Sequence, residues 1–177
     1  MSDPTSTRPA LRLVRSALEE PIVWSWFCGH CAAPSPDGEP PSPAARVCRS
    51  CGLGLLLETR EDAAPQRRDA FLIVDSSLCL HGMSEHAEQL LGVREDVAVN
   101  RPLSELIVSA DAEADGRGGI AAAIATAIAS GEQPRHVFVR PSNTFGVRVR
   151  ARIVACGPPR AALIVLEGPR ATTLRVV

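Results

Sequence analysis

Two short cysteine knuckles, Cys28-Gly-His-Cys31 and Cys48-Arg-Ser-Cys51, constrain the first third of this chain more than any other feature. Residues 32–47 separate them, a spacing at which four thiolates close a tetrahedral zinc site. Residues 32–43 carry prolines at 34, 36, 40, 41 and 43, which rules out a helix between the pairs. So short a segment has little core of its own, and a bound metal is expected to fold it. Four thiolates leave no open coordination position, so Zn2+ held by Cys28, Cys31, Cys48 and Cys51 would be structural rather than catalytic.

The rest of the composition mainly excludes. A net charge of −1 leaves no electrostatic footprint for nucleic acid or an anionic membrane. Direct strong binding to nucleic acid is therefore not expected, and neither is a membrane. Residues 120–129 form the longest largely apolar stretch, far short of the ~20 residues that span a bilayer. The opening residues lack an apolar run followed by a small-residue cleavage site, so a cytoplasmic location is expected. In that reducing compartment, paired cysteines favour a metal over disulfides.

Along the chain, residues 1–20 read as a polar tail with a possible short helix over 10–20. Residues 21–58 read as the cysteine module, 59–69 as a charged linker, and 70–170 as a second domain. In that domain, 71–74 and 78–80 read as strands joined by the turn Asp75-Ser76-Ser77. Ser84 is a good N-cap for a helix over 85–91, and Gly92 a good left-handed terminator. A second helix is read over 103–108. Ile120, Ile124 and Ile128 recur every four residues in an alanine-rich third helix. Strands are then read over 136–140, 145–154 and 161–167. Strands, then helices, then strands predict an α+β fold, a five-stranded antiparallel sheet with helices on one face.

In the fourth of these strands Arg148, Arg150 and Arg152 alternate with Val147, Val149, Ala151 and Ile153. Period two predicts the arginines outward and the aliphatic residues toward the helices. Phe71, Ile73, Phe138 and Val149 are read as a wall facing the ridge of Ile120, Ile124 and Ile128, enclosing at most a small dry cavity. Cys79 and Cys156 read as small buried hydrophobes. Trp24 and Trp26 read as packing around the knuckles, and His30 as lying outside the coordination shell. No Ser/His/Asp set or glycine-rich phosphate loop is present, so no catalytic residue is named and the chain is read as non-enzymatic.

Three segments carry a resemblance to a known family: FLIVD at 71–75, SEHAEQLLG at 84–92 and NRPLSEL at 100–106. An aspartate closes the first strand, a capped helix starts nine residues later, and Leu-Leu-Gly ends it eight residues after that. This pattern resembles a PAS domain over about residues 70–169, with Asn100 where a glycine is usual. Asn tolerates the left-handed backbone that such a glycine supplies. The resemblance implies a sensory or dimerisation domain acting through protein partners, with a homodimer as one form. Photosensory relatives carry a flavin-reactive cysteine near this Asn-Arg-Pro, and haem-binding relatives a histidine on the long helix. Neither residue is present, so no flavin or haem is expected.

The N-terminal module resembles a zinc ribbon, a fold that often serves in the transcription machinery. The whole then reads as a signalling or regulatory protein, with transcription regulation as the setting that the ribbon resemblance implies. Two alternatives stay open. One is a redox or metal sensor working through the zinc-bound cysteines. The other is a thiol oxidoreductase using Cys28 and Cys31, whose Gly-His dipeptide resembles that of disulfide isomerases. That chemistry needs the first cysteine at a helix N-terminus, which Pro34 and Pro36 obstruct.

Overall fold

A computed structural model describes residues 21–35, 40–43, 45–110, 119–130 and 133–168. The short helix read over 10–20 lies outside them. Strand β1 (Trp24–Cys28) pairs antiparallel with β2 (Leu56–Arg60), Phe27 opposite Leu57 and Cys28 opposite Leu56. The cysteine loops extend from one end of this hairpin. Next come β3 (Ala70–Val74), β4 (Leu80–Met83), and the helices α1 (Glu85–Leu91) and α2 (Glu95–Ala98). A 3-10 turn at Leu103–Glu105, β5 (Ile107–Ser109), α3 (Ile120–Ser130), β6 (Arg135–Pro141), β7 (Val149–Cys156) and β8 (Ala161–Glu167) complete the order. Six strands form one sheet in the order β4-β3-β8-β7-β6-β5, every neighbouring pair antiparallel.

The local signals at α1 act as their chemistry dictates. Ser84 Oγ accepts from Ala87 N at 3.2 Å, and Gly92 closes the helix at φ 65°. Asn100 adopts φ 67°, the left-handed backbone its side chain tolerates.

The five-strand count and the helix over 103–108 need correction. Only Leu103–Glu105 makes a helical turn, and Ile107–Ser109 adds a sixth strand on β6. An uncapped helix of six residues is marginal. The β-branched Ile107 and Val108 fit an open strand edge better.

The sheet is covered on both faces. Leu72, Val74, Val149, Ala151, Ile153, Ala162, Ile164 and Leu166 share one buried cluster with Ala87 and Leu91 of α1 and Ile124 and Ala127 of α3. The other face buries Phe71, Ile73, Val154, Cys156, Leu163 and Val165 in a cluster with Phe27 of β1 and Leu57 of β2. Phe27 meets Phe71 edge-on, with ring centroids 6.2 Å apart and planes at 83°. Backbone bonds tie the layers together: Glu58 N donates to Gly157 O at 2.6 Å, and Gly157 N to Glu58 O at 3.0 Å. Fully buried Thr59 donates Oγ1–H to Ala155 O at 2.9 Å.

This arrangement changes two expectations. The segment read as a linker contains the end of β2 and the 3-10 turn Glu61–Ala63, whose Ala63 is buried in that second cluster. The cysteine hairpin and the large sheet therefore share a core across it. The cavity wall is also divided. Val149 shares the helix-side cluster with Ile124 of α3, and Ile120 and Ile128 pack against that same cluster. Phe71 and Ile73 lie on the opposite face, and Phe138 is 40% exposed under the Arg148 guanidinium, 3.9 Å from its ring centroid. In β3 it is Leu72 and Val74 that meet the helices. With Phe71–Val74 all buried, no polar partner marked which parity faces which layer.

Along β7 the alternation holds for Val149, Ala151 and Ile153, all buried. Val147 precedes the strand and is 39% exposed. Arg150 and Arg152 sit on the other face near Glu167, at 3.4 and 3.5 Å. Val149→Asp should cost more than ~3 kcal/mol in chemical unfolding, because it buries an unpaired charge, while Arg150→Ala stays within about 0.5 kcal/mol. A second denaturation series tests the shared core. Phe27→Ala should destabilise the single transition of the whole chain by about 3 kcal/mol or more, rather than loosening the hairpin alone.

Candidate metal centre and the cleft beside it

The β1–β2 pairing fixes the centre, because Cys28 ends β1 and Leu56 opposite it begins β2. The chain turns directly after Cys28, with Ala32 N donating back to Cys28 O at 3.0 Å and Ala32 at φ 55°. The second knuckle repeats the device: Gly52 N donates to Cys48 O at 2.8 Å, with Gly52 at φ 69°. Gly29 N to Leu55 O (2.9 Å) ties the first knuckle to the segment after the second, and Cys48 N to Gly54 O (2.7 Å) closes the second loop on itself.

All four sulfurs lie within 4.8 Å of one another. Cys28 Sγ to Cys51 Sγ is 3.6 Å and Cys31 Sγ to Cys48 Sγ is 3.9 Å. A tetrahedron with zinc–sulfur bonds of ~2.3 Å has edges of ~3.8 Å, and a disulfide would bring its sulfurs to ~2.05 Å. The geometry fits a divalent ion and not a pair of disulfides. Backbone amides point at the sulfurs as they do for anions: His30 N to Cys28 Sγ at 3.4 Å, Ser50 N to Cys48 Sγ at 3.3 Å and Gly54 N to Cys51 Sγ at 3.5 Å. Cys79 and Cys156 stand apart from this group. Burial alone pushes the Cys156 thiol up to about 12, the inert buried character its sequence context suggests.

The four thiols are not equivalent. Burial raises Cys28 and Cys31 above the ordinary thiol value, against the donation they receive from backbone amides. Burial also opposes ionisation of Cys51, but amide donation from Gly54 and Leu53 and its hydrogen bonds to Cys28 and Cys31 outweigh it. They bring its pKa down to about 6.

Gly54 is sterically obligatory. A Cβ there would overlap Cys28 Sγ and come within 2.7 Å of His30 Cβ and 2.9 Å of His30 N. Trp26 packs against the small cluster of Cys28, Ala33, Cys48 and Leu56, while Trp24 is half exposed.

His30 lies outside the sulfur cage, and its partner is one that local sequence could not reveal. Its Nδ1 is 2.9 Å from Glu95 Oε2, across 65 positions of sequence. Glu95 Oε1 accepts from Met83 N at 2.9 Å, which orients the carboxylate. A cleft of about 480 Å³ opens beside this contact, between the knuckles and the outer face of the sheet. On its other side Asp75 Oδ1 accepts from Ser77 N and Cys79 N, each at 2.9 Å, and Oδ2 is 3.0 Å from His81 Nε2. The Cys79 amide, more than His81 or Ser77, holds the Asp75 carboxyl below its usual range against modest burial. Of the residues read as cavity lining, only Ile73 lines this cleft.

No family model and no curated protein matches the chain. Among solved structures, the PAS domain of nitrogen regulation protein NR(II) from Vibrio parahaemolyticus aligns at 17% identity, covering 57% of this chain and 89% of that one, with a TM-score of 0.42. The E. coli DhaR(N)-DhaL complex aligns at 13% identity, covering 58% and 32%, with a TM-score of 0.39. Likenesses this distant leave the description of the fold to the chain's own strand order and packing. Among the described residues, no helix is long and apolar enough to cross a membrane.

Two measurements follow from the cage. Gly54→Ala should weaken zinc binding at least ten-fold in competition with a chromophoric chelator, because the methyl group displaces Cys28 Sγ. Without metal, Cys28 and Cys31 carry protons at neutral pH and must release them on binding. Zinc affinity should therefore climb with pH, by about one log unit per pH unit for each of these two thiols. A flat profile over the neutral range would contradict the raised values at Cys28 and Cys31.

Proposed function

We propose that this chain is a non-enzymatic signalling module, in which a zinc-held cysteine ribbon and a PAS-like sheet form one unit that works by binding a protein partner. The observation that carries this reading is the shared buried cluster of Phe27, Leu57, Phe71, Ile73, Leu163 and Val165. Through it, whatever stabilises the knuckles also covers the sheet. The His30–Glu95 contact adds a polar tie between the first knuckle and α2. The PAS-like part of the reading rests on the segments at 71–75, 84–92 and 100–106, with the cap, the terminator and the left-handed Asn100 all in place.

The chemistry of the thiols supports binding over catalysis. Cys28 ends a strand rather than starting a helix, and burial raises its thiol. An oxidoreductase needs the opposite, an accessible cysteine of lowered pKa. Cys51 favours a second reading. It and Cys31 are the half-buried members of the cage, the two sulfurs open to a solvent-borne oxidant. In that reading oxidation expels the metal and uncovers the sheet, making the ribbon a redox sensor.

Elemental analysis should give one zinc per chain. Chelation should lower the melting temperature of the whole protein and speed amide exchange in β3 and β8, whose outer face loses its cover. Unchanged exchange in those strands after full zinc removal would defeat the one-unit reading. Zinc release at sub-stoichiometric peroxide would select the sensor, and zinc that survives excess peroxide the constitutive binding module.

A further inference from the structure

The β1–β2 hairpin covers only part of the sheet's outer face. Its buried cluster takes in β3, β8 and the end of β7 at Val154 and Cys156, and no residue of β6. On β6, Val137 and Val139 pack with the helix-side cluster, so His136, Phe138 and Arg140 point to the outer face. Arg150 of β7 stands directly opposite Phe138. Phe138 and Arg150 are exposed, and Phe145 in the turn between the two strands is 83% exposed.

Aromatic rings seat the guanidinium groups here. Arg148 lies over Phe138 at 3.9 Å and Arg140 over Phe145 at 5.0 Å. Arg140 Nη1 also donates to the carbonyls of Pro141, Ser142 and Thr144, at 3.4, 3.4 and 3.5 Å. These contacts hold its head at the turn without cancelling its charge. A guanidinium fixed in this way has lost much of its rotamer freedom before a partner arrives, and its N–H fork suits a carboxylate.

Among the described residues, the carboxylates that meet the arginines of this face are Glu167 and Asp62. Glu167 is shared by Arg150 and Arg152, at 3.4 and 3.5 Å, and Asp62 is held by Arg60. Arg140, Arg150 and Arg152 therefore face one carboxylate between them, a local excess of positive charge on a chain whose net charge is −1. Partial burial, and then the charge of Arg150, hold His136 below its ordinary value. Its imidazole is neutral at neutral pH, so arginine carries the charge of the face.

We propose that this uncovered half of the outer face docks an acidic protein segment, with an apolar residue of the segment on Phe138 and Phe145 and flanking carboxylates on Arg140 and Arg150. The proposal deepens the binding-module reading and rests on it, naming the chemistry of the partner. A nucleic acid fits less well, because so small an excess of charge falls short of the roughly six to ten phosphate contacts of strong backbone binding.

The test uses zinc-loaded full-length protein and a fluorescein-labelled decapeptide, two repeats of Asp-Glu-Phe-Asp-Glu, followed by anisotropy. Saturable binding is expected, weakening at least ten-fold between about 50 and about 500 mM salt. The same peptide with Asn and Gln in place of its acids should not saturate. Arg150→Ala, and Phe145→Ala in the exposed turn, should each weaken binding at least five-fold. Arg94→Ala, an equal loss of charge at the start of α2, is the unaffected control. Absence of saturation, with zinc content measured on the same sample, would overturn the docking face. It would leave standing the zinc-held unit, which amide exchange on chelation tests separately. Unchanged affinity in both variants would place the peptide elsewhere and overturn the face as well. Equal binding of the neutral peptide would overturn the carboxylate requirement, and tighter binding of a ten-residue oligothymidylate would overturn the protein partner in favour of single-stranded nucleic acid.

Discussion

The packing of the β1–β2 hairpin across the outer face of the large sheet is the contact on which the other features depend. Phe27 and Leu57 cover Phe71, Ile73, Leu163 and Val165. Fully burying one such side chain is worth ~1.5–3 kcal/mol. Four of them together rival the ~5–15 kcal/mol by which a typical domain is stable at all. A sheet stripped of this layer would expose an apolar surface over its central strands. The hairpin is thus less an appended module than the second wall of a three-layer domain.

The hairpin itself has little with which to hold its shape. The cluster at its tip comprises Cys28, Ala33, Cys48 and Leu56, too few apolar atoms to order two loops and a proline-rich connection. Metal binding by four thiolates contributes ~10–16 kcal/mol in small zinc-finger peptides, which exceeds what that cluster supplies. With the proposed metal bound, stability would run in a chain, from metal to knuckles, from knuckles to β1–β2, and from β1–β2 to the sheet. The His30–Glu95 bond closes a shorter route, from the first knuckle directly to α2 and, through Met83 N, to β4. The cleft lies within this loop of contacts, so its shape depends on both layers.

Much of this was legible before any coordinates. The cysteine spacing, the Ser84 cap, the Gly92 terminator, Asn100 and the alternation over Val149, Ala151 and Ile153 are each set by a few neighbouring residues, and each is realised. The unbroken apolar runs Phe71–Val74 and Ala161–Leu166 are the signature of strands buried on both faces, and they announced a second layer over the sheet. That second layer is why Phe71 and Ile73 face away from the helices.

What the sequence determined by itself was local: where thiolates gather, where a helix begins and stops, and which residues alternate along a half-exposed strand. These follow from spacing and backbone preference within a few residues. The tertiary structure decided the rest. It turned residues 107–109 into a sixth strand, because the edge of β6 offered unpaired backbone groups to a weak helix. It chose the parity of β3, because two apolar layers compete for the same four side chains. It also joined His30 to Glu95 and set Asp75 and His81 on another wall of the same cleft. Contacts across such separations leave no periodicity to read, because they exist only once two layers have packed.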